Sequence, residues 1–487
     1  MKHSVVSGFS RSRASSRKGA SRRDEAGWVY VRIGGEPYER GYQHGSLLAN
    51  EIRDALRVLR HLIRQDTGLS FEWFAKNAMA MFHPILEGNY DGKLRDQFGT
   101  EILDELRGIE AGANATRSRG ETKVTLEELI GWNAYPELLC QWFPAVLSGQ
   151  VKAPIPPDRP LPSALHVTRR FHHFHLSCSS FVAVGSWTKD GAIVAAHTTW
   201  QRFANGDAYN VVLDITPARG QRILMQSAPG YVHSNTDFWQ TGAGLVITET
   251  SLNVSGFDPT GLPEFVRARR AAQFGRSITS WCELFRVGNN GGYVNTWLLA
   301  DAKRKEVAAY ELTLHHEELQ PVLNDGAYSA CNIPLSVSIR QLESSGPAGY
   351  DNVLMSAGRR VRFEHLLGEL RGSLDADAAR RILADHTDMY LGTVMPTSRT
   401  ICGHIDNDNG AVGSQGNGPY YPFGSLDSKV TTGALVKQGR FEGRWGRACG
   451  LPLEVNRFLQ EHPQYEWLRG YMRDRPTQPF VTFPQSE

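Results

Sequence analysis

Cysteine is scarce in this chain, with six in 487 residues (Cys140, Cys178, Cys282, Cys331, Cys402 and Cys449) and no pair at CxxC spacing. That argues against a disulfide framework or a zinc ribbon and leaves free thiols, one of them a candidate for reactivity. Long apolar runs are absent too. Gly, Thr or a charge interrupts every greasy stretch before the roughly 18 residues that a membrane-spanning helix requires. The net charge is only +2, and residues 1–26 hold seven Lys/Arg against Asp24 and Glu25, so everything after them is slightly acidic. A near-neutral body offers no electrostatic footprint for nucleic acid, and only the tail could meet a polyanion. There is no Walker A loop, HExxH, GxSxG or strand-GxGxxG-helix unit, which removes the familiar signatures of nucleotide, zinc-protease, serine-hydrolase and dinucleotide chemistry. No internal repeat argues for a solenoid or propeller.

What is present is enough apolar residue, 41%, for one large core or two ordinary ones. Residues 1–26 read as a disordered Ser/Arg/Gly tail. The tail lacks the apolar core of a secretory signal, and a cytoplasmic protein is expected on that ground. Leu48, Ile52, Leu56, Leu59 and Ile63 recur at helical spacing, as do Ile102, Leu103, Leu106 and Ile109, and Thr125 with Glu128 forms a capping box. The region 27–145 is therefore expected to be mostly helical. Residues 146–177 are the clearest linker, with five prolines in the ten positions after Lys152. Beyond it the texture becomes β: Phe181–Trp187, a Lys189-Asp190-Gly191 turn, Ile193–His197, Tyr209–Ile215, Arg222–Gln226, Gly244–Thr250 and Tyr293–Leu312, with helical patches at Glu264–Phe285 and Val361–Leu383.

Two apparent metal motifs fail on their spacing. Asp406-Asn407-Asp408-Asn409-Gly410 carries its glycine one position early for a calcium loop and has no closing Glu, so it reads as an Asx-rich turn. His172, His173 and His175 lack a carboxylate or second Cys at ligand spacing, and no metal or other cofactor is expected. Cys178 stands out by position. It follows the linker and opens the first β-run, as the nucleophile of an N-terminal-nucleophile (Ntn) hydrolase does. In that scheme the chain cuts itself before the Cys, and the freed α-amine serves as base.

The blocks Cys178-Ser-Ser, His197-Thr-Thr-Trp200, Ser227-Ala-Pro-Gly-Tyr231, Thr236 to Thr250, Asn289 to Trp297 and Leu426 to Thr432 resemble the phospholipase B-like proteins. Glu39-Arg-Gly-Tyr-Gln-His-Gly45 is similar to the isopenicillin-N acyltransferase-like peptidases of the same superfamily. The resemblance implies an α+β fold, an αββα sandwich of two stacked, mainly antiparallel sheets between helical layers. It implies self-processing between Ser177 and Cys178, with residues 178–487 as the catalytic region. Carried over position by position, it makes Cys178 the nucleophile, His197 and Trp200 the pair on the next strand, and Asn295 the oxyanion-side residue. His197 and Trp200 stand where the penicillin-acylase relatives carry Arg and Asp, which argues against that substrate class.

The residue types suit the chemistry. An α-amine with a pKa of about 7.7 to 8 can accept a thiol proton near neutral pH, and a Cys thiol is intrinsically nucleophilic. An Asn amide offers uncharged donors to an oxyanion. Trp200 and Trp297 are expected to wall the pocket, Asp237 to orient a group or form a turn, and Arg399 to meet an anionic substrate end or a structural carboxylate. The expected activity is hydrolysis of an amide or acyl ester through a thioester, on a small acyl amide or lipid-like substrate. An acyltransferase and a non-catalytic binding protein on the same scaffold are the alternatives, and oligomeric state is open.

Overall fold

Alternation along the strand Ser177–Gly185 sets the layering. Phe181 and Ala183 enter one apolar cluster while Val182 and Val184 enter another, and its hairpin partner Gly191–Arg202 divides Val194 and Ala196 from Ile193 and Ala195 in the same way. A sheet with two apolar faces must be covered on both. In the computed structural model, which describes residues 19–88, 97–162, 177–344, 355–410 and 418–485, it is.

This smaller sheet runs in the order Gly326–Ala330, Ser177–Gly185, Gly191–Arg202, Asp427–Thr432, Phe441–Trp445, Val481–Phe483, with Phe423–Ser425 also paired to Gly191–Arg202. Helices Met355–Glu369 and Ala376–Leu383 cover its outer face through Phe363, Ile382 and Leu383. Its inner face meets a nine-stranded sheet, and the Ser180 and Thr248 hydroxyls join the two at 2.8 Å. The larger sheet runs Ser21–Glu25, Trp28–Gly35, Val211–Pro217, Ile223–Ser227, Phe238–Thr241, Leu245–Ser251, Asn295–Asp301, Glu306–Leu312, Glu317–Leu319. Its neighbours are antiparallel except for Trp28–Gly35 beside Val211–Pro217. Helix Ile278–Arg286 packs Trp281 and Phe285 onto Trp297 of this sheet. The fold is thus α+β with mainly antiparallel sheets.

The expected helices form at Pro37–Leu47, Ala49–Thr67, Gln97–Ala115 and Leu126–Asn133, the last with its capping box on Thr125 and Glu128. The two later helical patches are each broken. Extended Gly275 and the Ser277 cap separate Glu264–Phe274 from Ile278–Arg286, and the Asp375 cap starts a new helix after Met355–Glu369.

The end of the expected disordered tail needs correction. Ala26 and Gly27 both have positive φ, 48° and 83°, and close a two-residue turn that pairs Ser21–Glu25 with Trp28–Gly35. Charged Arg22, Arg23, Asp24 and Glu25 make this an edge strand, a composition that a coil and an edge share. Residues 1–18, like His172, His173 and His175, lie outside the described residues. The described part of the linker is pinned at Ile155, whose N–H donates to Asn77 Oδ1 (2.9 Å) and whose carbonyl accepts from Trp73 Nε1 (3.0 Å). No helix among the described residues is long and apolar enough to cross a membrane.

Candidate active site

The turn at Lys189-Asp190-Gly191, with Gly191 at φ +70° and Asp190 Oδ1 accepting from the Ala192 N–H, folds one strand back on the other so that Cys178 lies opposite Thr199. His197 and Trp200 are thereby brought alongside. Cys178 is buried, 1% exposed. Its N–H donates to Asn332 Oδ1 (3.1 Å), its carbonyl accepts from Arg359 Nη1, and its Sγ lies 3.6 Å from Glu249 Oε1. Asn332 is held in that orientation because its Nδ2 donates to the Ser251 carbonyl (2.8 Å) while Arg359 Nη2 donates to its Oδ1 (2.9 Å). The Arg359 guanidinium stacks 4.2 Å over the Trp200 ring.

Burial dominates the electrostatics. It pushes the Cys178 thiol well above its ordinary range, with Glu249 adding to the effect and the charge of Lys429 opposing it. Glu249 is itself raised well above the usual carboxylate range by desolvation and by Asp237, and Asp237 and Glu264 are each raised to about 8 chiefly by desolvation. Asp237 and Glu264 therefore favour the neutral form at pH 7. His197 is held well below its usual value by burial and Lys429, and its Nε2 lies 2.9 Å from the Glu249 carbonyl. A carbonyl can only accept, so Nε2 carries the proton. Lys429 is buried against Asp427 (2.8 Å), Thr199 Oγ1 (2.7 Å) and Gln226 Oε1 (2.6 Å). Tyr293 OH donates to the Asn235 carbonyl (3.2 Å) and approaches Glu249 Oε1 (3.4 Å).

The backbone here is unusual. Asn235, Asp237, Tyr293 and Asn332, all in or beside this network, have φ of +57°, +40°, +45° and +70°. Such conformations persist where surrounding structure fixes them, and they concentrate at functional sites.

Of the residues expected from sequence, Cys178, His197 and Asp237 converge, whereas Trp200, paired with Ser177, projects from the opposite face of the strand, under Arg359 and against Gly403, and does not wall the Cys178 side. Asn295 is buried across from Ser251, the residue that Asn332 grips; its Nδ2 donates to the Tyr293 carbonyl (3.1 Å), and its Oδ1 has no partner among the described residues. Trp297 packs among Trp281 and Phe285 in the helical layer, and Arg399 is paired with Asp388 at 2.7 Å. For Arg399 the structural carboxylate is the alternative observed. Asp408 accepts from the Gly410 N–H as an Asx turn requires, and Asp406 pairs with Arg447. Glu249, Tyr293 and Lys429 lie inside sequence blocks already singled out, without a role assigned to them. Asn332 and Arg359 lie outside every block, and the only local sign was the tolerance of Asn for positive φ.

Cys178 Sγ, a His197 ring nitrogen and a Glu249 carboxylate oxygen lie within 4.8 Å of one another, a donor set that could also hold a metal. The cavities of about 400 Å³ beside Arg222, Gln240 and Lys303 and of about 350 Å³ beside Arg40, Glu101 and Arg219 do not include Cys178.

Comparison with known proteins decides the family. The model of the Phospholipase B family matches residues 36–322, more than half of the chain and the part that carries Cys178, Glu249 and Tyr293. The chain belongs to the phospholipase B family. This phospholipase B family member is 23% identical over 274 residues to phospholipase B-like protein B of Dictyostelium discoideum, covering 50% of this chain and 46% of that protein. It is 30% identical over 337 residues to putative phospholipase B-like 1 of Caenorhabditis elegans, covering 61% and 56%. To putative phospholipase B-like 2 of Bos taurus it is 28% identical over 150 residues, covering 26% and 24%. The matched segments span about half or less of these relatives' lengths.

Proposed function

We propose that this protein is a self-processing cysteine hydrolase of the Ntn type that cleaves an acyl ester or amide, with a lipid-like acyl substrate favoured by the names its relatives carry. The observation that carries the reading is the setting of Cys178. Its amide nitrogen, the atom that would become the free amine, is gripped by Asn332, and its sulfur faces Glu249.

In processing, Sγ attacks the Ser177 carbonyl carbon. The new C–S bond replaces the C–N bond to Cys178, whose nitrogen takes the thiol proton and becomes the free amine, and water then hydrolyses the thioester to the Ser177 carboxylate and the free thiol. In turnover the amine accepts the thiol proton, Sγ attacks the acyl carbonyl, the alcohol or amine leaves with a proton, and water resolves the thioester. Arg359, charged at neutral pH although burial lowers it to about 10, disfavours protonation of an amine held beside it and so favours the base form. Asn295 is the proposed oxyanion donor. Cys178 is buried in the uncut chain, so turnover is expected to follow cleavage.

Intact-mass analysis tests the reading. Wild-type protein is expected to yield a C-terminal fragment beginning at Cys178, and Cys178→Ala to remain one chain. Processed protein is expected to hydrolyse lysophospholipids or acyl amides that Cys178→Ala does not. An uncut wild type that turns over substrate would remove the terminal-amine mechanism, and a bound metal ion lost when Cys178 is replaced would favour a metal held by Cys178, His197 and Glu249.

A further inference from the structure

A second cluster of chemistry-bearing side chains lies outside that site. His386, Cys402, His404 and Cys449 each present a ligand atom, and all of these atoms fall within 4.8 Å of one another. Three separate stretches of chain supply them. His386 directly precedes the short strand Thr387–Asp388, Cys402 and His404 flank Gly403, and Cys449 follows the strand Phe441–Trp445.

His404 Nε2 is the centre of convergence. It lies 3.1 Å from His386 Nε2, 3.4 Å from Cys402 Sγ and 3.5 Å from Cys449 Sγ. One ring nitrogen has one proton or one lone pair to offer, so it can satisfy one of these neighbours by hydrogen bonding and not three. A shared cation satisfies all of them. With Zn–N near 2.05 Å and Zn–S near 2.3 Å, a tetrahedral ion separates its ligands by about 3.4 Å for two nitrogens and about 3.6 Å for nitrogen and sulfur. The observed separations approach those edges.

We propose that His386, Cys402, His404 and Cys449 form a structural zinc site. Two thiols that lose their protons to solvent on binding neutralise a divalent ion, which suits a place where Cys402 and His404 are wholly buried. Four protein ligands close the tetrahedron and leave no position for a substrate, which makes the site structural. The surroundings are fixed accordingly. The Leu451 N–H donates to Cys449 Sγ (3.4 Å) across the Gly450 turn, as backbone donors do around bound thiolates, and the Cys402 N–H donates to the Asp385 carbonyl (3.1 Å), tying two ligand segments together.

The site also explains a neighbouring contact. A Cβ at Gly403, between two ligands, would lie 2.2 Å from the Trp200 ring, and the Ile401 carbonyl accepts from Ser179 Oγ (3.3 Å), the residue after Cys178. The ion would brace the loop on which the Cys178 strand rests. The spacing carried no familiar signature, because the ligands are separated by 16, 2 and 45 positions and only Cys402-Gly403-His404 is local.

Elemental analysis of the untagged full-length chain, purified under reducing conditions, tests this directly. The expected result is zinc equimolar with protein, and on exchange with cobalt(II) the visible absorption of a tetrahedral thiolate complex. Cys402→Ser and Cys449→Ser are each expected to lose the ion, whereas replacing His172, His173 and His175 together by Ala, or Cys178 by Ser, is expected to keep it. If the ligand variants do not fold, the wild type decides alone: Cys402 and Cys449 should resist alkylation until a chelator strips the metal. Protein that stays metal-free after incubation with zinc, metal retained in both cysteine variants, or a Cys402–Cys449 disulfide in protein isolated in parallel without reductant would each overturn the proposal.

Discussion

Two asparagines enter the proposed chemistry of Cys178 in different roles. Asn332 turns an acceptor toward the nitrogen of Cys178, whereas Asn295 offers an amide donor of the kind an oxyanion needs. Asn332→Asp places a negative charge where the free amine would lie, which favours the protonated amine and raises its pKa. The acid limb of the kcat/KM profile should therefore move to higher pH, an effect that a merely structural Asn would not produce; an unmoved limb would remove Asn332 from the amine. Asn295→Ala is expected to lower kcat by about 10² to 10³ with KM within a few-fold, since the lost bond exists mainly in the transition state. A loss confined to KM would make it a substrate-binding residue. At this scale the sequence was most legible where the site is nearly contiguous: Cys178 and His197 share one hairpin. Asn332 and Arg359 arrive from 154 and 181 positions away, and no local pattern announces a partner brought by tertiary packing.

Helices Pro37–Leu47 and Gln97–Ala115 show how elements are held with almost no space between them. A Cβ on Gly41 would lie 2.0 Å from the Glu105 carbonyl oxygen, one on Gly45 2.1 Å from that of Ile109, and ones on Gly108 and Gly112 each 2.2 Å from those of Tyr38 and Tyr42. Backbones this close seal Arg40 onto Glu101 (2.9 Å) and Glu105 (2.6 Å), with Arg269 on Glu105 from the far side (3.2 Å). Gly45→Ala should therefore destabilise the protein by about 1–3 kcal/mol or more in a urea melt, because a backbone carbonyl cannot rotate away as a side chain can. Gly68→Ala meets open space and is strained only through its φ of +75°, so it should cost about 1 kcal/mol. Equal effects at the two sites would mean the helices can separate freely. Helical periodicity was readable in Ala49–Thr67 and Gln97–Ala115, each of which buries an apolar stripe, but not in Pro37–Leu47, whose buried residues are Arg40, Gly41, Gln43, His44 and Gly45. The strand Trp28–Gly35 was not readable either, because it is covered on both sides and shows no clean alternation, and its parallel partner Val211–Pro217 lies far along the chain.

Across the whole molecule, the buried acids and histidines set opposing demands on pH. Desolvation raises Glu137, Asp237 and Glu264 each to about 8, so between their ordinary range near 4 and pH 8 the folded state binds more protons than the unfolded chain, and folding weakens as pH rises. His44 and His233 are lowered to about 4, again chiefly by desolvation, so their folded forms stay neutral and stability falls as pH drops from about 6.5 to 4. His44 must remain neutral to do what it does, since its Nε2 accepts from the Gly230 N–H at 2.9 Å. The two groups oppose each other between about pH 4.5 and 6.5, the acids act alone above that window, and the histidines act alone below it. Thermal unfolding of the single-chain Cys178→Ala variant should accordingly show its highest Tm in mildly acidic buffer and a fall of several degrees toward pH 8. Each kcal/mol moves Tm by only about 2 °C or less in a chain this long. Glu264→Gln and Glu137→Gln remove the ionisation while keeping the shape, and together they should flatten the alkaline limb and leave the acid limb in place. A Tm that climbs steadily from pH 5 to 8, or an alkaline limb unchanged in the double variant, would show that these carboxyl groups reach water in the folded protein and that the acidic network beside Cys178 is hydrated.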